Sequence, residues 1–193
     1  MSENEKSEDR MLITHAKEGD TEAFESLVKK YQRNIYLLCH RMTGAHQAAD
    51  DLSQDTFIKA FFSLNTFKDG MNFFTWIRKI AVNTSLNFLR IRKREKPLGD
   101  NDAYVTSNPY SSSQDSPPEQ LQKNRMQEKF KTALKSLPSD QKTIFILRVY
   151  EDLSYKDISE LLNIPQGTVM SRLSRARRKL QRELADYLEG GVS

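Results

Sequence analysis

Ser154–Leu184, SYKDISELLNIPQGTVMSRLSRARRKLQREL, is the stretch whose reading decides the fold. Ser154 stands where a helix cap belongs, and Asp157, three residues on, completes a capping box. Ile158, Leu161 and Leu162 then give that helix an apolar face. Asn163-Ile164-Pro165-Gln166-Gly167 breaks the pattern, because proline cannot continue a helix interior and glycine tolerates positive φ. From Thr168 a second helix is predicted. Val169, Leu173, Ala176 and Leu180 recur at helical spacing, so they share a buried face. Arg172, Arg175, Lys179 and Arg182 recur on another face, with Arg178 beside them. A basic stripe alone is often an ordinary solvated surface. Joined to a capped helix, a turn and a buried face, it is the pattern of a helix-turn-helix, whose second helix enters the major groove of DNA.

The chain around this stretch has 193 residues, enough for one large or two small domains. No apolar run approaches the roughly 18 residues of a membrane span, and no secretion signal is expected. The single cysteine, Cys39, rules out an internal disulfide, so a reducing cytoplasm is the expected compartment. The net charge of +4 is unevenly spread: Phe73–Lys96 carries +6 and Ile164–Leu184 carries +5, leaving −7 for the rest. Two basic regions far apart on an otherwise acidic chain suggest two contacts with nucleic acid.

The apolar spacing predicts helices throughout and no strand. Met1–Asp9 is polar and acidic, and is expected to be disordered. Helices follow at about Arg10–Lys17, at Thr21 to about Met42 with Asp20 as cap and Gly44 as stop, and at about Gln47–Leu64. In the third, Ala49, Leu52, Thr56, Phe57, Ala60, Phe61 and Leu64 form the expected inner stripe. Asp50, Asp51, Gln54, Asp55 and Lys59 lie outside it, with Ile58 exposed among them. Such an acidic face bearing an apolar residue is either solvated surface or a docking surface. A turn at Asp69-Gly70 leads to a fourth helix, about Phe73–Lys93, whose basic residues collect at its C-terminal end and suit the helix dipole.

Pro97–Gln120 holds four of the six prolines and many Ser, Asn and Asp residues. It reads as a flexible linker with a relaxed span of roughly 27 Å and an extended limit of roughly 80 Å. Those lengths correspond to about 8 to 23 base pairs of duplex. Beyond it come a helix at about Leu121–Leu137, one capped by Ser139 or Asp140 and running to about Tyr150, and the helix-turn-helix. The expectation is an all-α protein of two small helical domains, 10–96 and 121–188, joined by the flexible linker 97–120, with a short tail at 189–193.

Enzyme chemistry finds no support. His15, His40 and His46 share no metal-ligand spacing with carboxylates or with Cys39, and no phosphate loop, GxSxG or HExxH is present. No catalytic residue, metal or cofactor is expected. Cys39-His40 could serve as a redox switch, but a cysteine on an apolar helix face behaves as a small hydrophobe.

These segments together resemble the extracytoplasmic-function (ECF) group of bacterial RNA polymerase sigma factors. The likeness runs through GDTEAFESLVKKYQRNIYLLCHRM (Gly19–Met42), DDLSQDTFIKAFFSL (Asp50–Leu64) and FFTWIRKIAVNTSLNFLRIRKR (Phe73–Arg94), which match the family's region 2. It continues through LPSDQKTIFILRVYEDLSYKDISELLNIPQGTVMSRLSRARRKL (Leu137–Leu180), which matches region 4. The resemblance implies that Asp51, Gln54, Asp55, Ile58 and Lys59 dock on the coiled coil of the largest subunit of core RNA polymerase. It implies that Thr66–Phe73 and the next helix capture the single-stranded −10 element, where a base is flipped from the nontemplate strand. The residues concerned are Phe67, Lys68, Asn72, Phe73, Arg78 and Asn83, with Arg90, Arg92, Lys93 and Arg94 on phosphates. An amide such as that of Asn83 can read a base edge, and extrusion gives access to it. Trp76, Phe73 and Phe74 are expected to pack rather than stack on bases.

In region 4 the resemblance implies reading of duplex at the −35 element by Gln166, Thr168, Met170, Ser171, Arg172, Ser174, Arg175 and Arg178. Position 170 is often basic in relatives and is Met here. Position 174 is often aromatic or His and is Ser here. The −35 sequence does not therefore carry over. The helix Ser139–Tyr150 corresponds to one that meets the flap of the second-largest subunit. The linker stands where larger sigma factors carry further regions, and in the family it runs toward the RNA exit path. An anti-sigma factor is also implied, and no stable homo-oligomer is expected. The competing reading is a stand-alone dimeric helix-turn-helix regulator, which explains Ser154–Leu184 but neither the second basic region nor the acidic face.

Overall fold

The computed structural model describes residues 3–68, 70–95 and 117–189. The regular elements among them are all helical, and the chain divides into two compact units.

The first unit holds α1 (Glu3–Lys17), α2 (Thr21–Thr43), α3 (His46–Ser63) and α4 (Phe73–Glu95), with a 3-10 turn at Leu64–Thr66. Asp20 caps α2 as expected: its Oδ1 accepts from the amides of Glu22 (2.9 Å) and Ala23 (3.1 Å). Gly44 ends the helix in the left-handed conformation at φ 77°, with its amide on the carbonyl of His40. Helices α2, α3 and α4 pack on one another, and α1 lies along α2. Leu27, Ile35, Leu38, Met42, Ala49, Ala60, Ile77, Ala81 and Val82 are buried at their centre. Each large aliphatic among them contributes about 1.5–3 kcal/mol by leaving water.

Two expectations for this unit are corrected. Met1–Asp9 is not a disordered segment throughout, since α1 begins at Glu3. Asp9 is only 4% exposed. The Tyr31 hydroxyl donates to its Oδ2, and Lys30 Nζ lies 2.7 Å from its Oδ1. A buried carboxylate is tolerated because it is paired in this way. Its partners are more than twenty residues away, so local composition could not show them. Phe61 does not belong to the inner stripe of α3: it is 41% exposed, edge-on to Phe24. It fits the apolar spacing but lies at the margin of the stripe.

The second unit holds α5 (Pro117–Ser136), α6 (Ser139–Val149), α7 (Tyr155–Leu162) and α8 (Gln166–Glu189). Helix α8 packs on the other three. Val169, Leu173, Ala176 and Leu180, the expected inward face, are all buried. The capping box forms: Ser154 Oγ accepts from the Asp157 amide at 3.1 Å, and Asp157 Oδ2 accepts from the Ser154 amide at 3.2 Å.

Three details differ. The turn obtains its left-handed residue from Asn163, at φ 53°, while Gly167 is already inside α8. Asparagine is a residue that visits this region without large cost. Helix α6 is entered from Pro138 with no side-chain cap, so neither Ser139 nor Asp140 is its N-cap. Helix α5 starts at Pro117, so residues 117–120 belong to it rather than to the linker. Proline suits a first helical turn, where its missing N–H costs nothing. The rest of the expected linker, 97–116, and the tail residues 190–193 lie outside the described residues, while Glu189 ends α8.

Candidate nucleic-acid interface

The buried side of α8 fixes which residues face away from the unit. Gln166, Met170, Ser171, Ser174, Arg175 and Arg178 are exposed, and Thr168 is half-buried. All lie on the side that the packed face leaves free. Arg175, Arg178, Lys179 and Arg182 share with Pro138 and Gln141 an open groove of about 750 Å³. This cationic surface can neutralise phosphates, while the polar and small residues before it leave room for base edges.

Two cations of the stripe are used internally. Arg172 Nε lies 3.2 Å from Asp140 Oδ2, so this arginine ties α8 to the start of α6. Lys179 Nζ donates to the carbonyl of Ser136 at 2.6 Å, and Ser136 Oγ donates to Glu183. Arg172, expected to meet DNA, also holds the helix in place through this half-exposed pair. The sequence showed its spacing but not its acidic partner.

In the first unit, Asp51, Gln54, Asp55, Ile58 and Lys59 are all exposed on α3. Asp51 and Asp55 precede Ile58 on the helix by about two turns and one, and Lys59 leans toward α4, with Nζ 3.4 Å from Thr84 Oγ1. One residue was missed in the sequence: Phe62, 81% exposed and one turn beyond Ile58. Its position four residues after Ile58, off the inner stripe, is the signal that could have found it.

The residues expected to meet the −10 strand separate into two groups. Lys68, Asn83, Arg90, Lys93 and Arg94 are exposed, and Arg92 is half-buried. Phe67, Phe73 and Arg78 face inward, and Asn72 is half-buried. Phe67 and Phe73 are buried and meet Trp76 at ring distances of 5.4 and 5.7 Å. Arg78 is 7% exposed, with its guanidinium carbon 5.2 Å from the centroid of Phe74. It packs inward where contact with the −10 strand was expected, because its place on α4 faces the interior. Asn72 Oδ1 accepts from the Thr75 amide at 2.9 Å and so caps α4. Asn83 is ten residues beyond Phe73 along α4, about 15 Å at the helical rise, so it does not join Lys68 and Asn72 at one point.

The histidines form a pair that sequence spacing did not reveal. His40 and His46 stack at 4.4 Å across the Gly44 turn, and the Tyr36 hydroxyl lies 2.6 Å from His46 Nδ1. Among the described residues, no group of three or more His, Cys, Asp or Glu side chains could hold a metal. None of the described helices is long and apolar enough to cross a membrane.

Comparison with known proteins places both units in one family. Residues 27–95 match the model of Sigma-70 region 2, and residues 127–180 match that of Sigma-70, region 4. The chain is 35% identical to the RNA polymerase sigma-H factor of Pseudomonas aeruginosa, over 94% of this chain and 96% of the relative. It is 33% identical to the ECF RNA polymerase sigma-E factor of Haemophilus influenzae, covering 91% and 95%. With the ECF RNA polymerase sigma factor SigW of Bacillus subtilis it shares 35%, covering 90% and 95%. Among solved structures it resembles the sigma factor RpoE in complex with the anti-sigma factor NepR from Bartonella quintana. That match has a TM-score of 0.64 and 29% identity, and covers 84% of this chain and 96% of that one. Both matched regions occur in the order and over the length these relatives have, and the chain belongs to the ECF RNA polymerase sigma factors.

Proposed function

We propose that this chain binds core RNA polymerase, directs it to promoters by reading a duplex −35 element and a single-stranded −10 element, and promotes melting there. One observation carries the reading: a single chain of this family exposes two separate cationic helical surfaces and an acidic face bearing Ile58. The first unit, α1 through α4, is assigned to polymerase and the −10 strand. Its Asp51, Gln54, Asp55, Ile58 and Lys59 meet the coiled coil of the largest subunit. Its Lys68, Asn83, Arg90, Lys93 and Arg94 meet DNA.

The second unit, α5 through α8, is assigned to the −35 element through Gln166, Thr168, Met170, Ser171, Ser174, Arg175 and Arg178. Exposed Val149 and Tyr150 at the end of α6 support a contact of that helix with the polymerase flap. The protein is an initiation factor rather than an enzyme and acts with polymerase in the cytoplasm. Because a related sigma factor forms a complex with an anti-sigma factor, a partner of that class is inferred here too. A stand-alone dimeric regulator is not favoured, since it leaves the α3 face and the basic end of α4 without a role.

The docking assignment is tested by binding to purified core polymerase. Asp51→Ala with Gln54→Ala is expected to weaken core affinity at least tenfold while leaving the melting temperature unchanged. Full affinity in that double variant counts against the α3 face.

A further inference from the structure

Helix α1 has no part in the DNA and polymerase surfaces assigned so far, yet it meets both ends of the connection from α3 into α4. At the near end, Lys17 Nζ donates to the carbonyl of Phe67 at 2.9 Å and stands 5.7 Å from the centre of that ring. Phe67 is where the chain leaves the 3-10 turn for extended backbone, at φ −67° and ψ 121°. At the far end, the Tyr31 hydroxyl donates to buried Asp9 of α1. The Tyr31 ring packs 5.6 Å from Phe73 and 5.5 Å from Phe74, the first two residues of α4. Between these points, Asp9, Arg10 and Ile13 share the lining of a cavity of about 160 Å³ with residues 70–73.

The described residues of the connection include one turn hydrogen bond and one left-handed glycine. Met71 N to the Lys68 carbonyl, at 3.3 Å, is a long hydrogen bond. Gly70 has a φ of +85°, and a Cβ added there would meet nothing within 4 Å. A segment that turns at a glycine and closes one long hydrogen bond takes its shape in part from what holds its ends. Both ends are fixed by α1, directly at Phe67 and through Tyr31 at Phe73.

We propose that Lys17 is a positioning residue for recognition of the melted −10 strand. Helix α1 holds Phe67 and Phe73, the two ends of the connection, in place before DNA arrives, so the strand meets a preorganised surface and the ordering cost is not charged to binding. This rests on the reading that the connection presents Lys68 to the −10 strand, with Phe67 and Phe73 packed beneath it.

The test uses the full-length protein assembled with core RNA polymerase on a cognate promoter found from a promoter library. Lys17→Met removes the donor and keeps the aliphatic stem. It is expected to leave core affinity and the melting temperature unchanged. Open-complex formation should slow about tenfold, and the preference for the cognate −10 base on a premelted template should fall by a similar factor. Lys17→Arg, which restores a cationic donor, should recover most of both.

Undiminished base preference in Lys17→Met overturns the proposal. So does a loss that Lys17→Arg does not restore and that tracks a lowered melting temperature. Should Lys17→Met fail to fold, Tyr31→Phe decides: it keeps the ring stack and removes only the hydroxyl. Reduced preference there supports the proposal and full preference overturns it. A different outcome separates the underlying reading. If the unsubstituted protein initiates at no promoter with core enzyme, that reading fails and the proposal with it.

Discussion

Arg172 and Arg175 are one turn apart on the same helix and do different things. Arg172 pairs with Asp140, whereas Arg175 faces solvent beside Arg178. Arg172→Ala is expected to lower the stability of the second unit by about 0.2–1 kcal/mol, the scale of a partly exposed ion pair, as read in thermal unfolding. Arg175→Ala with Arg178→Ala should leave unfolding unchanged and weaken −35-dependent initiation by about 1–3 kcal/mol for each arginine that meets a base edge. Equal initiation in both variants would remove the distinction. Cys39 shows the same inward commitment. Burial pushes its thiol up to about 11, with a hydrogen bond from Ser85 opposing. A thiol reagent at pH 8 should label it only after unfolding, and rapid labelling of the native protein would reopen a redox role. At this scale the sequence was legible where a residue's role follows from its own spacing, as for Val169 and Leu173. It was illegible where the role depends on a distant partner, as for Asp9, Arg78 and Arg172.

Elements were the most readable level, because each helix carries its own start, stop and inward face. The Ser154–Asp157 box and the Gly44 stop were visible as local chemistry and formed as read. Ser154→Ala is expected to destabilise the second unit by about 1 kcal/mol, measured by chemical denaturation. A neutral result would mean that tertiary packing alone holds the start of α7. The helix starts that were misplaced had physical reasons as well. At α5 the prolines were read as breakers, although a first turn accepts them. At α1 the acidic sequence looked unable to bury anything, and Tyr31 and Lys30 make that burial possible. On α3 the exposure of the face proposed for docking was legible, apart from Phe62. Phe62→Ser is expected to weaken core binding by severalfold without loss of stability, since the ring is already in solvent. Unchanged core affinity would confine the docking face to Asp51 through Lys59.

At the scale of the whole molecule, the two units should answer alkaline pH in opposite directions. In the first, Cys39 keeps its proton in the native state up to about 11, while the unfolded chain releases it near 9. Stability therefore falls as pH rises through that window, by about 2 kcal/mol at pH 10.5. In the second, burial and then the charge of Lys135 lower Lys142 to about 8 from 10.5. The native state releases that proton first, so stability rises between those values. Amide hydrogen exchange resolved by unit should show protection falling in α2 and rising in α6 between pH 8.5 and 10. Parallel changes in both would contradict these assignments. The division into two helical units was legible from the charge distribution and the proline-rich stretch, whereas the surfaces they expose needed the packing to be seen. The central claim is that these surfaces serve one act, specific initiation. It is tested most directly by run-off transcription with purified core polymerase over a promoter library. Discrete transcripts are expected, arising from promoters that share spaced −35 and −10 elements and abolished when either element is scrambled. Duplex binding by the protein alone as a dimer, with no specific transcript from any promoter, would contradict it.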